Sequence, residues 1–296
     1  MSTLASEVEK VTLPVPRKPA PWAALLLGAI FFAVLFWAPF TTLLRDWWSD
    51  PEAGHGLLLG PVAAIIAWKR GLLPNSKGQP ILGTVLLFVA VVLRYLSSLA
   101  AELFTMRSSL LLAVCALIIY AYGMRQILHW WLPLTLIALS IPLPSVVLGS
   151  IALPLQLHAS RMGAELLEWR NVPVLLSGNV INLPGRSLFV TEACSGLRSL
   201  TSLLALGVLI AGLWLRLPIL RALIIALTIP IAVLLNGVRV FLTGFLVYFV
   251  DPKLGDGLMH YTEGWVMFVV AFAILGAIAW VLVQFDTWWK KRRAVA

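Results

Sequence analysis

Charged residues are scarce in this sequence. Asp, Glu, Lys and Arg make up 12% of the 296 residues, whereas an ordinary soluble domain contains about a quarter. Hydrophobic residues make up 60%, and they recur in runs along nearly the whole chain. This composition excludes an ordinary soluble protein. It predicts a single integral membrane domain.

Cysteine and histidine are also scarce. The two cysteines, Cys115 and Cys194, are too few for a disulfide scaffold and form no CxxC pair, which disfavours a thiol-redox protein. A metal site is poorly supported, because His55 and His260 lack a convincing third ligand other than Cys194. The sequence contains no GxGxxG fingerprint, P-loop or internal repeat. We therefore expect no metal and no cofactor.

Acidic residues are fewer than basic ones, 13 against 22, which leaves a formal net charge of +9. Such an excess could indicate nucleic-acid binding. The basic residues, however, lie between the hydrophobic runs, as the positive-inside rule for membrane proteins describes. We therefore expect membrane lipids and no nucleic acid as partners.

The hydrophobic runs predict about eight transmembrane helices when about 20 apolar residues are allowed for each crossing. They are expected at 22–40, 55–68, 80–96, 108–122, 127–141, 197–215, 218–237 and 264–285. The run from 218 to 250 is too long for one upright helix. We predict one crossing that continues from Arg239 as a tilted or interfacial segment.

Eight crossings place both termini on the same side of the membrane. The segments on that side carry 13 basic and 3 acidic residues, and the opposite side carries 9 and 10. Both termini are therefore predicted to be cytoplasmic. The predicted organisation is a cytoplasmic tail at 1–21, a membrane domain at 22–286 and a basic cytoplasmic tail at 287–296.

The long polar segment of the chain, 142–193, is predicted to lie on the outer side. Residues 151–170 have the pattern of an amphipathic surface helix, with polar side chains at Gln156, His158, Arg161, Glu165 and Glu168. Residues 172–190 are rich in β-branched residues and have turn signals at Ser177-Gly178 and Pro184-Gly185, which predict a short β-hairpin. The predicted fold class is an all-α polytopic membrane protein with this outer loop.

Three residues are predicted to meet at the outer face, namely Cys194, Arg239 and His260. A cysteine nucleophile needs a thiolate, which an imidazole can generate by accepting the proton. A guanidinium can stabilise a developing oxyanion. These types of side chain at one depth indicate nucleophilic catalysis.

Each of these residues also has a structural interpretation. Cys194 could be a small buried hydrophobe, Arg239 a snorkelling anchor and His260 a solvated loop residue. Glu192 and Arg198, on either side of the thiol, could pair with each other or contact substrate. His55, in the string AGHG, is a secondary candidate for lining the pocket.

The strings EACSGLRSL (192–200) and LLNGVRV (234–240), with His260 followed by Gly264-Trp265, resemble the exosortase/archaeosortase family of membrane cysteine transpeptidases. The string AGHGLLLGPVAAIIAWKR (53–70) extends the resemblance, which covers roughly residues 46–284. Gly54 stands where the family usually has a serine or a similar residue, and this leaves the role of His55 open.

The resemblance implies a catalytic site of Cys194, Arg239 and His260 on the periplasmic side of a bacterial inner membrane. It implies substrates that are secreted proteins with a C-terminal sorting signal: a Pro-Glu-Pro-type motif, a transmembrane helix and a basic cluster. The enzyme would transfer them to an acceptor nucleophile whose identity the resemblance leaves open. Bacterial members look linked to exopolysaccharide production.

The competing hypothesis is a membrane component of exopolysaccharide export without peptidase chemistry, in which Cys194 is incidental. Transporters usually contain paired broken helices and charged residues at mid-membrane. Of the charged residues, we expect only Arg94 to lie inside a span rather than at its start, and Arg94 is near the outer end of its helix. The sequence therefore favours the transpeptidase.

Overall fold

The computed structural model describes residues 22–50, 52–190, 197–251 and 257–295, with backbone alone at 197–199, 257–265 and 290–295. The predicted N-terminal tail, 1–21, lies outside this range. The described helices are α1 (Trp22–Ser49), α2 (Gly56–Arg70), α3 (Pro80–Leu99), α4 (Leu103–Tyr122), α5 (Met124–His129), α6 (Trp131–Leu139), α7 (Ser145–Trp169), α8 (Leu197–Leu213), α9 (Pro218–Phe249) and α10 (Gly257–Val295). The described strands are β1 (Leu175–Ser177), β2 (Val180–Leu183) and β3 (Arg186–Phe189).

The chain divides into two compact units, Met1–Ala38 and Pro39–Ala296. In the first unit, the described residues form the apolar first part of α1. In the second unit, α3 and α4 pack as an antiparallel pair, α2 packs on α6, and α8, α9 and α10 enclose one apolar core. The features discussed below belong to the second unit.

Five helices of the described chain are long and apolar enough to cross a membrane: α1, α3, α4, α9 and the part of α10 at Val266–Trp289. The protein is therefore an all-α polytopic membrane protein, as predicted. Three predicted crossings correspond to shorter elements. Helix α8 has 17 residues, so its length is about 26 Å, which is less than the roughly 30 Å of a hydrocarbon core.

The predicted crossing at 127–141 is divided into α5 and α6, which meet at Trp130. Pro133 explains the break, because it has no N–H to donate to the carbonyl four residues earlier, at His129. That carbonyl accepts instead from the guanidinium of Arg70, at 2.8 Å. A residue from another helix thus completes the hydrogen bonding at the break.

Another charged residue lies inside a helix that is long and apolar enough to cross a membrane. Arg107, which the prediction placed just outside a crossing, is in α4 with only 3% of its side chain exposed. Its Nη2 lies 2.7 Å from the carboxylate of Asp46 and donates to Thr42 O at 3.3 Å. The expectation that Arg94 alone is charged within the spans is therefore wrong, and the ion pair explains how Arg107 is accommodated.

The segment from 218 to 250 forms one helix. Helix α9 has 32 residues, and its length is therefore about 48 Å. It continues without interruption through Arg239, so the predicted crossing and the segment predicted to follow it belong to one helix. Gly237 and Gly244 would otherwise weaken the helix, but the side chains of Met162 and Leu167 from α7 pack on them.

The predicted amphipathic helix is α7. Its residues His158, Arg161, Glu165 and Glu168 are exposed, as the pattern requires, whereas Gln156 is buried. The opposite face packs along α9, where small residues allow close approach of the two backbones. The amphipathic pattern is confirmed, and the buried face lies against another helix of the protein.

The three strands form one antiparallel sheet in the order β1-β2-β3. A hairpin was predicted with turns at Ser177-Gly178 and Pro184-Gly185, and both turns are present. Gly178 has φ +61° and Gly185 has φ +82°, conformations that glycine adopts at low cost. The second turn is followed by a third strand, so the element is a meander of two hairpins. The side chains of Ile181 and Leu183 in β2 are buried against α7 and α9.

A matched pair of glycines on α7 tests the contact between α7 and α9. A Cβ at Gly163 would lie 2.5 Å from Val240 Cγ1, whereas a Cβ at Gly149 would meet nothing within 4 Å. We expect Gly163→Ala to lower the free energy of unfolding by about 1–3 kcal/mol, because it overpacks the contact. Gly149→Ala should raise it by about 0.5–1 kcal/mol through helix propensity alone. Unfolding in mixed micelles measures both, and equal effects would contradict the close contact.

Candidate active site

Of the three predicted catalytic residues, Arg239 is the one whose side chain the structure describes. It lies in α9, ten residues before the helix ends at Phe249, and its side chain is partly buried. On the same stretch of α9, Asn236 and Val240 are buried, and Met162 of α7 packs on Gly237. The guanidinium therefore projects from a rigid helix that is packed on one side by α7.

The pairing of α8 with α9 places the start of α8 at the level of Arg239. The two helices are antiparallel and meet closely at Gly207, where an added Cβ would lie 2.5 Å from Thr228 Cγ2. Leu197 is ten residues before Gly207, and Val238 is ten residues after Thr228. Both are therefore about 15 Å from the contact, on the same side of it. The first turn of α8 and Arg239 therefore lie at the same level along the axes of the two helices.

His260 lies within the first turns of α10, although it was predicted to precede the helix. At the other end of α10, Asp286 Oδ2 accepts a hydrogen bond from the backbone N–H of Arg216 at 3.1 Å, just before α9 begins. His260 is 26 residues from Asp286, about 39 Å along the helix, and Arg239 is about 32 Å from Pro218. The backbone of His260 and Arg239 are thus at the same end of the helices.

The chain that leads toward Cys194 is held by Asn179. Asn179 O accepts a hydrogen bond from Val190 N at 2.9 Å, and its Nδ2 donates to Val190 O at 3.1 Å. The same Nδ2 lies 3.4 Å from the buried Gln156 Oε1 on α7. Val190 is four residues before Cys194. The outer sheet and α7 therefore fix the chain close to the cysteine.

His55 is held in a different place. Its Nε2 lies 3.2 Å from Leu139 O at the end of α6, and its buried Nδ1 has no partner among the described residues. Leu132 of α6 contacts α8 at Gly212, which is about 22 Å along the helix axis from the start of α8. Along α6, Leu139 is about 10 Å from Leu132 in the direction of that start. His55 is therefore roughly 12 Å below the level of Arg239 by helical rise. The described geometry does not bring these two residues together.

A comparison with protein families matches residues 47–277 to the model of the transmembrane exosortases. The chain belongs to this family. The comparisons with curated proteins and with solved structures gave no match. The matched range contains Cys194, Arg239 and His260, together with the outer sheet and helices α2 to α9.

In this exosortase the remaining predicted site residues have no described side chains. Cys194 and Glu192 lie outside the described residues. Arg198 lies in the first turn of α8, where only the backbone is described. The pairing of Glu192 with Arg198 and the roles of Cys194 and His260 therefore stay predictions.

Sequence reasoning missed Asn179 and Gln156 as residues that hold the chain leading toward Cys194. Asn179 was assigned only to the predicted hairpin, and Gln156 was assigned to the polar face of α7. A usable signal is the position of Gln156: His158, Arg161, Glu165 and Glu168 share one face, while Gln156 falls among Ala152, Ala159 and Gly163. A polar side chain on an apolar face needs a partner.

Substitutions of two asparagines, Asn179 in the β1–β2 turn and Asn182 in β2, distinguish an effect on the chain before Cys194 from a general loss of stability. Asn179→Ala removes the side-chain bond to Val190, and we expect the cleavage rate of a substrate to fall about fivefold to tenfold, because the chain before Cys194 is less firmly held. Asn182→Ala also removes side-chain bonds on the same sheet, from Nδ2 to Leu175 O at 3.1 Å and from Ser187 Oγ to Oδ1 at 2.7 Å. It should lower stability by a similar amount, about 1 kcal/mol, with little change in rate. Equal rates for the two variants would contradict the supporting role.

Proposed function

We propose that this exosortase is a membrane-embedded cysteine endopeptidase and transpeptidase. Its substrates would be secreted proteins that end in a sorting signal, a Pro-Glu-Pro-type motif followed by a transmembrane helix and a basic cluster. Membership of the exosortase family supports the reaction class. The observation that carries the assignment is the shared depth of Arg239 and the first turn of α8, which begins three residues after Cys194.

In the proposed reaction, His260 accepts the proton of the Cys194 thiol, and the thiolate attacks a peptide carbonyl carbon near the motif. A C–S bond forms, and Arg239 donates hydrogen bonds to the oxyanion of the tetrahedral intermediate. The C–N bond then breaks, and His260 gives its proton to the leaving amine. The products are a thioester on Cys194 and a free C-terminal tail.

A second nucleophile completes the reaction. An acceptor with an amine or another nucleophilic group attacks the thioester carbonyl and gives its proton to the neutral His260. The new bond to carbon forms, and the C–S bond breaks to regenerate the thiolate. A substrate helix lying beside the apolar outer surfaces of the protein would hold its motif at the depth of Arg239. The attack would then be effectively intramolecular.

The proposed location is the bacterial inner membrane, with both termini in the cytoplasm and the site on the periplasmic side. The distribution of charge supports this orientation. Segments on the side of the termini carry 13 basic and 3 acidic residues, whereas the opposite side carries 9 and 10. A basic excess of this kind marks the cytoplasmic side of membrane proteins.

Mass spectrometry of a co-expressed substrate with a sorting signal tests the proposal. The expected result is a substrate fragment joined to Cys194 by a thioester, which hydroxylamine releases, and a free tail that begins near the motif. Addition of an amine should increase the yield of transferred product at the expense of the trapped form. A substrate that stays intact in the presence of correctly inserted enzyme would refute the assignment.

A further inference from the structure

A second polar site lies at the opposite end of the α8–α9 pair from Arg239. Here Arg70 at the end of α2 and Arg221 near the start of α9 approach the same indole ring, that of Trp131. The Cζ of Arg221 is 5.4 Å from the ring centroid, and the Cζ of Arg70 is 6.0 Å from it. We call these three residues the Arg70–Arg221 cluster.

Helix ends fix the orientation of both guanidiniums. Arg70 donates to His129 O at 2.8 Å and to Gly212 O at 3.3 Å. Arg221 Nε donates to Leu215 O at 2.9 Å. A guanidinium has more N–H donors than these bonds occupy. The cluster is therefore held in place by carbonyls while part of each donor set stays available.

The two positive charges have no acidic counterpart among the described residues. Neither guanidinium forms an ion pair with a described carboxylate, and Asp286 accepts the backbone N–H of Arg216 instead. Burial and the neighbouring charge of Arg221 lower the pKa of Arg70. Two cations held at one aromatic ring repel each other, and an anion bound by both would relieve that repulsion.

The surroundings of the cluster identify the source of the anion. Trp68, Trp214, Leu128 and Leu213 are exposed and lie in sequence within two residues of Arg70, Gly212 or His129, which take part in the cluster's hydrogen bonds. Exposed tryptophans at the ends of apolar helices are typical of the headgroup level of a bilayer. Basic pockets between helices at this level are suited to lipid phosphates, because the acyl chains can cover the apolar side chains.

We propose that the Arg70–Arg221 cluster binds the phosphate of an anionic phospholipid. The two guanidiniums donate hydrogen bonds to phosphate oxygens, and the rim of Trp68, Trp214, Leu128 and Leu213 contacts the acyl chains. Charge complementarity selects a lipid with net negative charge over a zwitterionic one. The site is independent of the proposed peptidase chemistry.

Native mass spectrometry of the purified full chain tests this site. Phosphatidylglycerol and phosphatidylcholine with identical acyl chains are titrated separately, and the occupancy of the first bound lipid is measured. We expect the wild-type protein to bind phosphatidylglycerol at least fivefold more tightly. Arg221→Gln should weaken phosphatidylglycerol binding about fivefold, the equivalent of one lost basic residue at a membrane surface, and should leave phosphatidylcholine binding unchanged.

Arg125→Gln is the matched control, because Arg125 is an exposed basic residue at the same end of the protein but outside the cluster. An equal loss in this variant would mean unspecific attraction and would overturn the proposal. Equal affinity of the wild-type protein for the two lipids would also overturn it, a result that needs no variant to fold. Arg221→Lys keeps the charge and should bind more tightly than Arg221→Gln.

Soluble phosphate separates a lipid site from a site for free anions. The melting temperature of the wild-type protein in phosphatidylcholine is measured with inorganic phosphate and, separately, with added phosphatidylglycerol. Stabilisation by phosphatidylglycerol alone supports the lipid site. Equal stabilisation by millimolar inorganic phosphate would overturn the assignment to a lipid.

Discussion

Cys194→Ala is expected to abolish processing of a co-expressed substrate with a sorting signal, while the protein still inserts into the membrane at the wild-type level. The thiolate forms the covalent bond in the proposed reaction, so its removal leaves no nucleophile. Cys194→Ser should also be inactive, because a hydroxyl in a site suited to a thiolate has a much higher pKa. Immunoblotting of the uncleaved and cleaved substrate measures the effect.

The second cysteine supplies the control. Cys115 is a partly buried residue in the middle of α4, and Cys115→Ala should process substrate at the wild-type rate. Full processing by Cys194→Ala would refute the cysteine mechanism. Loss of protein maturation with retained polysaccharide export in the Cys194→Ala strain would separate the peptidase from the export component considered as its alternative.

Arg239→Lys should lower the cleavage rate by about 100-fold or more, the usual loss when a donor to an oxyanion is removed. Lysine keeps the positive charge but cannot reproduce the planar arrangement of donors in a guanidinium. The helix should stay intact, because the substitution has little effect on helix propensity. Initial rates in proteoliposomes measure the change.

Arg161→Lys is the control for this substitution, because Arg161 is exposed on α7. Its rate should equal that of the wild-type protein. If Arg239 is a membrane anchor, Arg239→Lys will also retain its rate, since both side chains can reach the headgroup region. A rate within twofold of wild type would therefore contradict a catalytic role for Arg239.

Local features of this fold could be predicted from the sequence. The apolar runs of α3 and α4 are each long and apolar enough to predict a membrane crossing without information from the rest of the chain. Gly178 and Gly185 likewise mark the turns of the outer sheet, because each turn needs a backbone conformation that glycine favours. The strings around Cys194 and Arg239 identified the family that the comparison then confirmed.

Features that depend on distant partners could not be predicted. The continuity of α9 through Gly237 requires the packing of Met162 from α7, which a local pattern does not contain. The burial of Arg107 requires Asp46 of another helix. The depth of His55 follows from its bond to Leu139 at the end of α6. In each case the deciding contact joins residues that are far apart in sequence.

The close packing of α7 on α9 has a consequence for how the protein responds to its lipid environment. Long helices adapt to thinner or thicker bilayers mainly by tilting. Gly163 and Gly237 join the two helices, and the outer sheet with Val190 is buried against both. A change of tilt should therefore move Arg239 and the strand before Cys194 as one body. The distance between Arg239 and that strand should therefore stay the same in thinner and thicker bilayers.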